Sequence, residues 1–490
     1  YQEDWVRRTC QSTFRNFDHA LDRWRDLYKA TARQLEVSHA VQMNAAASER
    51  DRKEAGLRYN EARIQQNLLL DAAATLNSDF YRKAIDFLSG EIENFWKNRM
   101  TLIYMTPLWI SNIFANTRYI PRSIPLRSLR TEKPIFVVGA GESVEGALLL
   151  LKENTNLFSI LAVDTALPIL KEAGIIPDII VSLEAQWANL HDFMSHVNAS
   201  IPVICDLSAS PLTMRKMAGP FSFVLSRFAD ISILDRIRDH CLVDSFIPPL
   251  GSVGIAGVYL ARQLTPAPIF FSGLDFSFIP GKSHAKNAPS LIDQYISSTR
   301  TNPWPIFDRA MKRPLLTLPG TDSKRVRSDV VLAGYRDVLS SFVADEKRIF
   351  DVGRKGLDTG APCVSLDQVT EICEEWAASH ARDSVEIPTI PPPFGTENPA
   401  AEMELRVKSF LEGEKSIVKN FINVISSTPA DKPETGDSSC PPWMIPADHV
   451  WIHFPDAYRA GYSSASFRAR ASASAVRYLR IVERSIATLP

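Results

Sequence analysis

Pro134-Ile-Phe-Val-Val-Gly-Ala-Gly-Glu-Ser143 decides the fold. Ile135 to Val138 form an apolar run with no polar residue among them, and a strand of that kind must be covered on both faces, as in a parallel sheet. Gly139-Ala-Gly-Glu-Ser143 then supplies small residues for a sharp turn and a hydroxyl able to cap the helical sequence that starts at Val144. The same grammar recurs along the chain, with helical segments between short apolar runs at Ser159–Val163, Asp178–Leu183, Pro202–Cys205, Phe221–Leu225 and Pro268–Ser272. The expected class is α/β: a Rossmann-like, mostly parallel sheet with helices on both faces, flanked by helical N- and C-terminal regions.

Outside this core the chain is mainly helical in type. Trp5 to Ser89 has no proline and carries Phe14, Phe17, Leu21 and Leu27 near helical spacing, which predicts long helices. Ser48 to Gln66 is charged on most faces and suits a solvated helix better than a binding surface. Pro107 to Pro134 reads as a proline-punctuated, ordered connector. Beyond Lys282 a loop rich in Ser, Asn and Pro runs to Pro305, followed by a helix near Ser328 to Ala344 with strand-like segments around it. Three successive prolines within Glu386 to Phe394 make a stiff, extended linker. Helices are expected after it near Ala400–Ile425 and Ser464–Thr488, about a polar loop at Pro429–Cys440. The expected division is a helical region with connector over 1–130, a catalytic α/β domain over 131–385 with peripheral segments from 283, and a linker with helical C-terminal domain over 386–490.

At 490 residues the chain exceeds a single core, given roughly 150 residues per domain. Hydrophobic residues at 45% and charged residues at 23% match an ordinary globular protein. The 55 Lys plus Arg nearly balance 56 Asp plus Glu, leaving a net charge of −1, so no global field draws the chain to nucleic acid or to an anionic membrane. Cys10, Cys205, Cys241, Cys363, Cys373 and Cys440 form no CxxC pair and have no histidine at zinc-site spacing, which fits a reduced, cytoplasmic protein without a metal site of that kind. No apolar run reaches the roughly 18 residues of a spanning helix, and no basic-then-apolar leader opens the chain. Tyr1 in place of Met leaves room for an N-terminal piece before it.

Ligands of open parallel sheets bind beyond the carboxyl ends of the strands, where helix N-termini offer unpaired N–H groups to anions. The residues following each run are Gly139, Gly141, Glu142 and Ser143; Asp164 and Thr165; Glu184; Asp206 and Ser208; Arg227; and Gly273, Asp275 and Phe276. Gly251-Ser252-Val253-Gly254 opens another helix in the same manner. Gly139 to Ser143 departs from the dinucleotide fingerprint, because Val144 stands where its third glycine would be. Two readings of that segment stand side by side: a phosphate cradle, or a bare strand-to-helix turn needing positive φ. Each of Asp164, Glu184, Asp206 and Asp275 is alternatively a helix cap or an ion-pair partner. No Asp-x-Asp pair follows a strand, so no metal clamp is expected, and no cofactor is firmly implied. His284, in Gly281-Lys-Ser-His-Ala-Lys286, is placed to act as a base near neutral pH, with an exposed loop histidine as its plain alternative. Lys282 and Arg227 are the candidate cations for an anionic ligand.

Several motifs taken in order carry a family resemblance: Pro134 to Ser143, Ala162-Val-Asp-Thr-Ala-Leu167, Gly174-Ile-Ile-Pro-Asp178, Ser182-Leu-Glu184, Leu250-Gly-Ser-Val253 and Gly273-Leu-Asp-Phe276. Together with Leu318-Pro-Gly-Thr-Asp322, Ser328 to Arg336 and Gly356-Leu-Asp-Thr-Gly360, the series resembles the motility-associated factor family of flagellin glycosyltransferases over Trp96 to Cys363. The resemblance implies transfer of a nonulosonic acid, of pseudaminic or legionaminic type, from a CMP-activated donor to Ser or Thr of flagellin in the cytoplasm. The core is also similar to a bacterial sialyltransferase family, in which the equivalents of Gly251 to Gly254 and Ser272 to Phe276 frame the CMP-sugar, and to an archaeal pterin pyrophosphokinase family. That second likeness makes ATP- and Mg-dependent pyrophosphoryl transfer the rival activity, and a non-catalytic nucleotide-binding scaffold is the third reading. Two positions depart from the family pattern: Glu142 where many relatives have Pro, and Glu184 where many have Asp.

From the transferase reading follows a division of labour. Amides of Gly139 to Ser143 and of Gly251 to Val253 would hold CMP with the Ser143 and Ser252 hydroxyls, Lys282 or Arg227 would face the sugar carboxylate, and His284, Asp164, Glu184 or Asp275 would take the acceptor proton. The acceptor would be presented by the helical flanks, and homo-oligomerisation is left open.

Overall fold

The computed structural model describes residues 99–196, 199–279, 281–307, 313–322, 324–353, 355–380, 399–427, 440–454 and 464–489, with scattered positions between 33 and 63. The chain divides at Met100/Thr101 into two compact units. In the first unit the described residues are helical apart from Ser48. Most of the helices expected between Trp5 and Ser89 lie outside the described residues, as do the Glu386–Phe394 linker and nearly all of the Pro429–Cys440 loop.

The second unit opens with α1 (101–116). Pro107, expected to open an ordered, proline-punctuated connector, instead lies inside this helix. Tertiary packing overrides the local penalty, because Ile110, Ile113 and Phe114 recur at helical spacing and are completely buried. Then follow β1 (Ile135–Val138), α2 (Val144–Glu153), β2 (Ser159–Val163), α3 (Leu167–Glu172), β3 (Ile179–Ser182), β4 (Val203–Asp206), α4 (Pro211–Lys216), β5 (Phe221–Ser226), α5 (Ser232–Asp239), β6 (Ser245–Ile247), α6 (Val253–Leu264) and β7 (Ile269–Ser272). The remainder comprises α7 (Pro289–Ser297), β8 (Leu316–Pro319), β9 (Arg325–Ser328), α8 (Val330–Val343), β10 (Ile349–Asp351), α9 (Leu366–His380), α10 (Pro399–Ser427) and α11 (Ala465–Ala487). The six expected strands are present within a residue or so of their expected bounds. β6 and β10 complete the sheet at its two edges, too short and too mixed in polarity for their runs to stand out.

The sheet has eight strands in the order β10-β7-β1-β2-β3-β4-β5-β6, and every pairing is parallel. β8 and β9 form a separate antiparallel pair. Alternation along the strands sorts the core into two layers. Phe136, Val138, Ile160, Ala162 and Phe270 face a cluster that includes α2, α3 and the C-terminal helices. Ile135, Val137, Leu161, Ile269 and Phe271 face α6 and α8 through Ile255, Val258, Leu339 and Val343. Because both faces are covered, no polar residue alternates within β1, which is the property that made the opening stretch legible.

The C-terminal helices share the first of these clusters through Val407, Phe410 and Leu411 of α10 and Phe467 and Tyr478 of α11. Between them a 3-10 segment, Pro442–Val450, carries His449 into the interior. His449 is fully buried, with its ring 6.3 Å from that of Phe114 and 5.6 Å from that of Tyr478. Neither ring nitrogen has a hydrogen-bond partner among the described residues. Burial, aided by the charges of Arg236 and His453, pushes its pKa from 6.5 down to about 3. Between those values the unfolded chain takes up a proton at this position that the folded chain refuses, so stability falls as pH falls below 6.5, with a slope approaching about 1.4 kcal/mol per pH unit from this ring alone. Denaturant unfolding of H449F should accordingly show a stability advantage over the unaltered protein at pH 5.5 that narrows toward pH 7.5. A gap that stays constant with pH would mean that this ring is not the titrating group.

Candidate functional site

The topology places a crevice between β1 and β7. From β6 at one edge the chain returns along α6, packed across β1, β2, β3 and β7, and enters β7 on the far side of β1. The order of strands reverses there, and ligands of such sheets bind at this reversal.

Backbone contact fixes the two exit loops to each other. Gly139 N–H donates to Ser272 O at 2.8 Å and Gly141 N–H to Gly273 O at 2.8 Å. A Cβ added to Gly139 would lie 2.3 Å from Gly273 O, and one added to Gly273 would lie 2.4 Å from Gly139 O. Leu274 fills the remaining space: its Cδ2 would be 2.6 Å from a Cβ at Gly139 and 2.3 Å from one at Gly254. Both glycine turns are thereby gathered around one leucine. Gly139 and Gly141 do not have positive φ, whereas Gly251 and Gly273 do, at 72° and 78°. The glycines of the first turn therefore serve close approach rather than left-handed backbone.

That contact corrects the expected phosphate cradle. Ser143 N–H donates to Asp275 Oδ2 at 2.9 Å, so the amides of Gly139, Gly141 and Ser143 are all spent inside the protein. Ser143 also does not cap α2; it has helical φ and ψ and makes no side-chain cap bond. Its buried hydroxyl donates to Asp275 Oδ1 and receives the Gly273 N–H at 2.7 Å. Burial pushes the Asp275 carboxyl up to about 6 even with both Ser143 hydrogen bonds holding it down. Asp351, the last residue of β10, accepts the Gly353 N–H at 2.8 Å and is pushed up to about 7, by burial first and by the Asp275 charge in addition. Gly353 permits this closeness, since a Cβ there would meet Ser143 Oγ at 2.8 Å and Asp351 Oδ1 at 3.3 Å. Phe276, expected against the nucleotide, is buried in the α6–α8 layer with φ of 47°, a strained value for an aromatic residue.

Of the other candidate carboxylates, Asp164 and Asp206 tie neighbouring strands together and Glu184 does not. Asp164 accepts from Ser182 Oγ at 3.0 Å and from Thr165 N–H at 2.9 Å. Asp206 accepts from Ser208 N–H at 2.8 Å, from Ser208 Oγ at 2.6 Å and from Ser226 N–H at 2.7 Å. Glu184 is exposed and accepts from Gln186 N–H at 2.9 Å. Asp192, absent from the expected set, is pushed up to about 7 by burial and then by Asp164, Glu184 and Asp293. Arg227 is bound to Asp230 at 2.7 Å and follows β5. With about 4.8 Å between strands, β5 stands roughly 24 Å along the edge from β7. Lys282 and Arg227 therefore do not converge on one ligand.

Lys282 comes from the loop after β7 and bonds Glu145 Oε2 at 2.9 Å, with Glu142 Oε1 at 3.4 Å. Lys355 reaches Glu142 Oε1 from the other side at 3.1 Å. Sequence reasoning missed Lys355, Asp351 and Gly353, because they lie far along the chain, at the end of an edge strand of only three residues and in the loop that follows it. It also missed Asn112 and Asn116 of α1, whose amides donate to the carbonyls of Ala185, Ser208, Leu207 and Ala209 and so hold the loops after β3 and β4.

Two features at the crevice are partly exposed. Ser252 precedes α6 as its N-cap residue, partly exposed, with no side-chain cap bond, so the first-turn amides of a 12-residue helix face the crevice edge without a protein acceptor among the described residues. His284 is half-buried on a loop secured by Ala285 N–H to Ala140 O at 2.9 Å, and its Nδ1 meets Ser283 Oγ and Ser290 Oγ, each at 3.0 Å. Ser290 belongs to α7, whose outer face exposes Ile292, Tyr295 and Ile296 beside exposed Trp304 and Phe307. Among the described residues no group of His, Cys, Asp or Glu is arranged to hold a metal ion, and no helix is long and apolar enough to cross a membrane.

The family model described as 6-hydroxymethylpterin diphosphokinase MptE-like matches residues 111–281, which span β1 to β7 and the crevice between them. An uncharacterized protein of Treponema pallidum (strain Nichols) is 27% identical over 428 residues, covering 83% of this chain and 72% of that protein. A second from the same organism is 29% identical over 86 residues, 17% of this chain and 41% of its own length. A solved structure of a Maf glycosyltransferase from Magnetospirillum magneticum AMB-1 aligns with a TM-score of 0.45 and 13% identity, covering 80% of this chain. This chain spans 58% of the length of that neighbour. Of the families that the sequence motifs resemble, the pterin diphosphokinase one is matched by a family model, over residues 111–281.

The Gly139–Gly273 contact carries a stability test. Gly139→Ala should destabilise the protein by about 2–3 kcal/mol, since the backbone carbonyl it meets cannot rotate away. Gly146→Ala, on α2 with nothing within 4 Å of the added methyl, should instead stabilise by about 0.5–1 kcal/mol. Denaturant midpoints that move the same way for both would mean that the exit loops are not in backbone contact.

Proposed function

We propose that this chain is a glycosyltransferase that moves a nonulosonic acid of pseudaminic or legionaminic type from a CMP-activated donor to Ser or Thr hydroxyls of flagellin in the cytoplasm, in support of flagellar assembly and motility. The observation that carries the reading is the pairing of a braced histidine with an exposed apolar helix face: α7 supplies Ser290 to His284 Nδ1 and presents Ile292, Tyr295 and Ile296 outward. A base set beside a surface of that kind suits a macromolecular acceptor better than a small one.

In this reading the donor phosphate lies at the α6 N-terminus, where amides and the Ser252 hydroxyl are available and the helix dipole favours an anion. Departure of CMP leaves an oxocarbenium-like sugar, and Arg227 stands too far along the sheet edge to meet its carboxylate. Asp275 and Ser143 fix the loops that border the donor. The acceptor hydroxyl loses its proton to His284 as its oxygen bonds to the anomeric carbon and the bond to CMP breaks.

The match of residues 111–281 to a pterin diphosphokinase family favours a second reading, pyrophosphoryl transfer from ATP with Mg²⁺. Thermal unfolding separates the two. CMP at a hundredfold excess over its Kd should stabilise the protein by about 2.7 kcal/mol, with no shift from ATP and Mg²⁺. The reverse pattern would establish the kinase reading, and silence toward both would leave a scaffold. On co-expressed flagellin, intact mass should show glycosylation by the unaltered protein and its loss with His284→Ala.

A further inference from the structure

Around the first glycine turn, two lysines from separate loops meet at one glutamate. Glu142 Oε1 lies 3.1 Å from Lys355 Nζ and 3.4 Å from Lys282 Nζ. Lys282 also holds Glu145 Oε2 at 2.9 Å, and the Lys286 amide donates to Glu145 Oε1 at 2.7 Å. These groups surround the N-terminus of α2, where the helix dipole adds positive potential. Two ammonium groups from separate loops beside a helix N-terminus are the usual surroundings of a phosphate, yet the protein places its own carboxylate there. Glu145 is fully engaged within its loop and belongs to the framework: burial raises its pKa, but the Lys286 and Lys282 hydrogen bonds outweigh burial and hold it below the ordinary value. Glu142 differs in that both of its partners are lysine side chains on flexible stems, and the Lys355 side chain is 55% exposed. An incoming anion could take both.

We propose that Glu142 is a specificity-determining residue, whose carboxylate occupies the place between Lys282 and Lys355 where a second anionic phosphate would bind and so restricts the crevice to donors with a single phosphate. The inference deepens the transferase reading and rests on it. A nucleoside monophosphate joined to a sugar leaves the Glu142 pairs intact, whereas a nucleoside diphosphate or a triphosphate brings another anion against a carboxylate already in place. The glutamate also explains how two lysines can stand close together without repelling one another.

Calorimetric titrations of CMP, CDP and inorganic pyrophosphate into the full chain and into Glu142→Gln test this. The substitution keeps the shape of the side chain and removes its charge, and a thermal melt confirms folding; Glu142→Ala serves if the amide variant is unstable. The expected result is that the variant binds CDP and pyrophosphate about tenfold tighter than the unaltered protein while CMP affinity changes little. Adding Lys355→Gln should abolish that gain. Unchanged or weaker CDP and pyrophosphate binding in the variant, an equal gain for CMP, or a gain that survives loss of Lys355 would each overturn the proposal. Absence of flagellin modification by the unaltered protein would sink the transferase reading alone, because pyrophosphate reports on competition for the lysines without reference to any sugar donor.

Discussion

The close backbone contact between Gly139 and Gly273 is the constraint on which the rest of the site depends. Parallel neighbours normally diverge at their carboxyl ends, since each must feed a helix on one face or the other. Here the two exit loops are held together by paired N–H···O bonds with no room for a side chain on either side. This fixes where Ser143 can be, and Ser143 in turn receives the Gly273 amide and holds the Asp275 carboxyl. The loop after β10 then closes over the same point, with Gly356 at φ of 93° set against the backbone of Asp275. Strain at Phe276 is tolerated because contacts on every side determine its backbone.

Buried carboxylates at the strand ends have a common structural logic. Removing a carboxylate from water is costly, and Asp164, Asp206 and Asp275 each offset that cost by accepting hydrogen bonds from a neighbouring strand end or exit loop. The bonds do not fully compensate: burial still leaves Asp206 and Asp275 above the ordinary carboxylate range. A perturbed carboxyl in a crevice is commonly taken to signal chemistry, but these oxygens are already occupied by protein donors. What they secure is the relative height of the loops. The groups left to meet a ligand lie between them: the α6 N-terminus, the His284 loop and the lysine pair at Glu142.

How much of this was legible depended on whether the cause was local. β1, β2 and β7 could be read because a strand covered on both faces has no polar alternation. The helices from Val330 and Ala465 could be read because one face must be apolar over many turns. β6 and β10 carry three residues each, too few for a pattern, and only their neighbours give them pairing. Gly139 and Gly141 stand out in the sequence, but whether they serve a ligand, positive φ or a neighbouring loop depends on Gly273 and Asp275, far along the chain. Pro107 within α1 is the converse case, in which a local breaker yields to the burial of Ile110, Ile113 and Phe114 and to the strand-end carbonyls bound by Asn112 and Asn116. Lys355 could not be joined to Glu142 from sequence because nothing but the return of β10 to the side of β7 brings them together.

The crevice edge is divided by polarity in a way that bears on the acceptor. On the side of α2 the surface is a lattice of paired charges, in which Glu142, Glu145, Lys282 and Lys355 largely neutralise one another. On the side of α7 it is apolar and aromatic, although Leu291 on the inner face of that helix already satisfies its packing against the core. A surface helix gains nothing in folding from Ile292, Tyr295 and Ile296 on its outer face, and an apolar patch rimmed by polar residues is the usual mark of a contact surface. The loop that carries His284 joins these two halves, tied to Ala140 on one side and to Ser290 on the other. In the transferase proposed above, a histidine in that position is where a charged donor and an apolar polypeptide acceptor would meet, and a small polar acceptor would leave half of the arrangement unused.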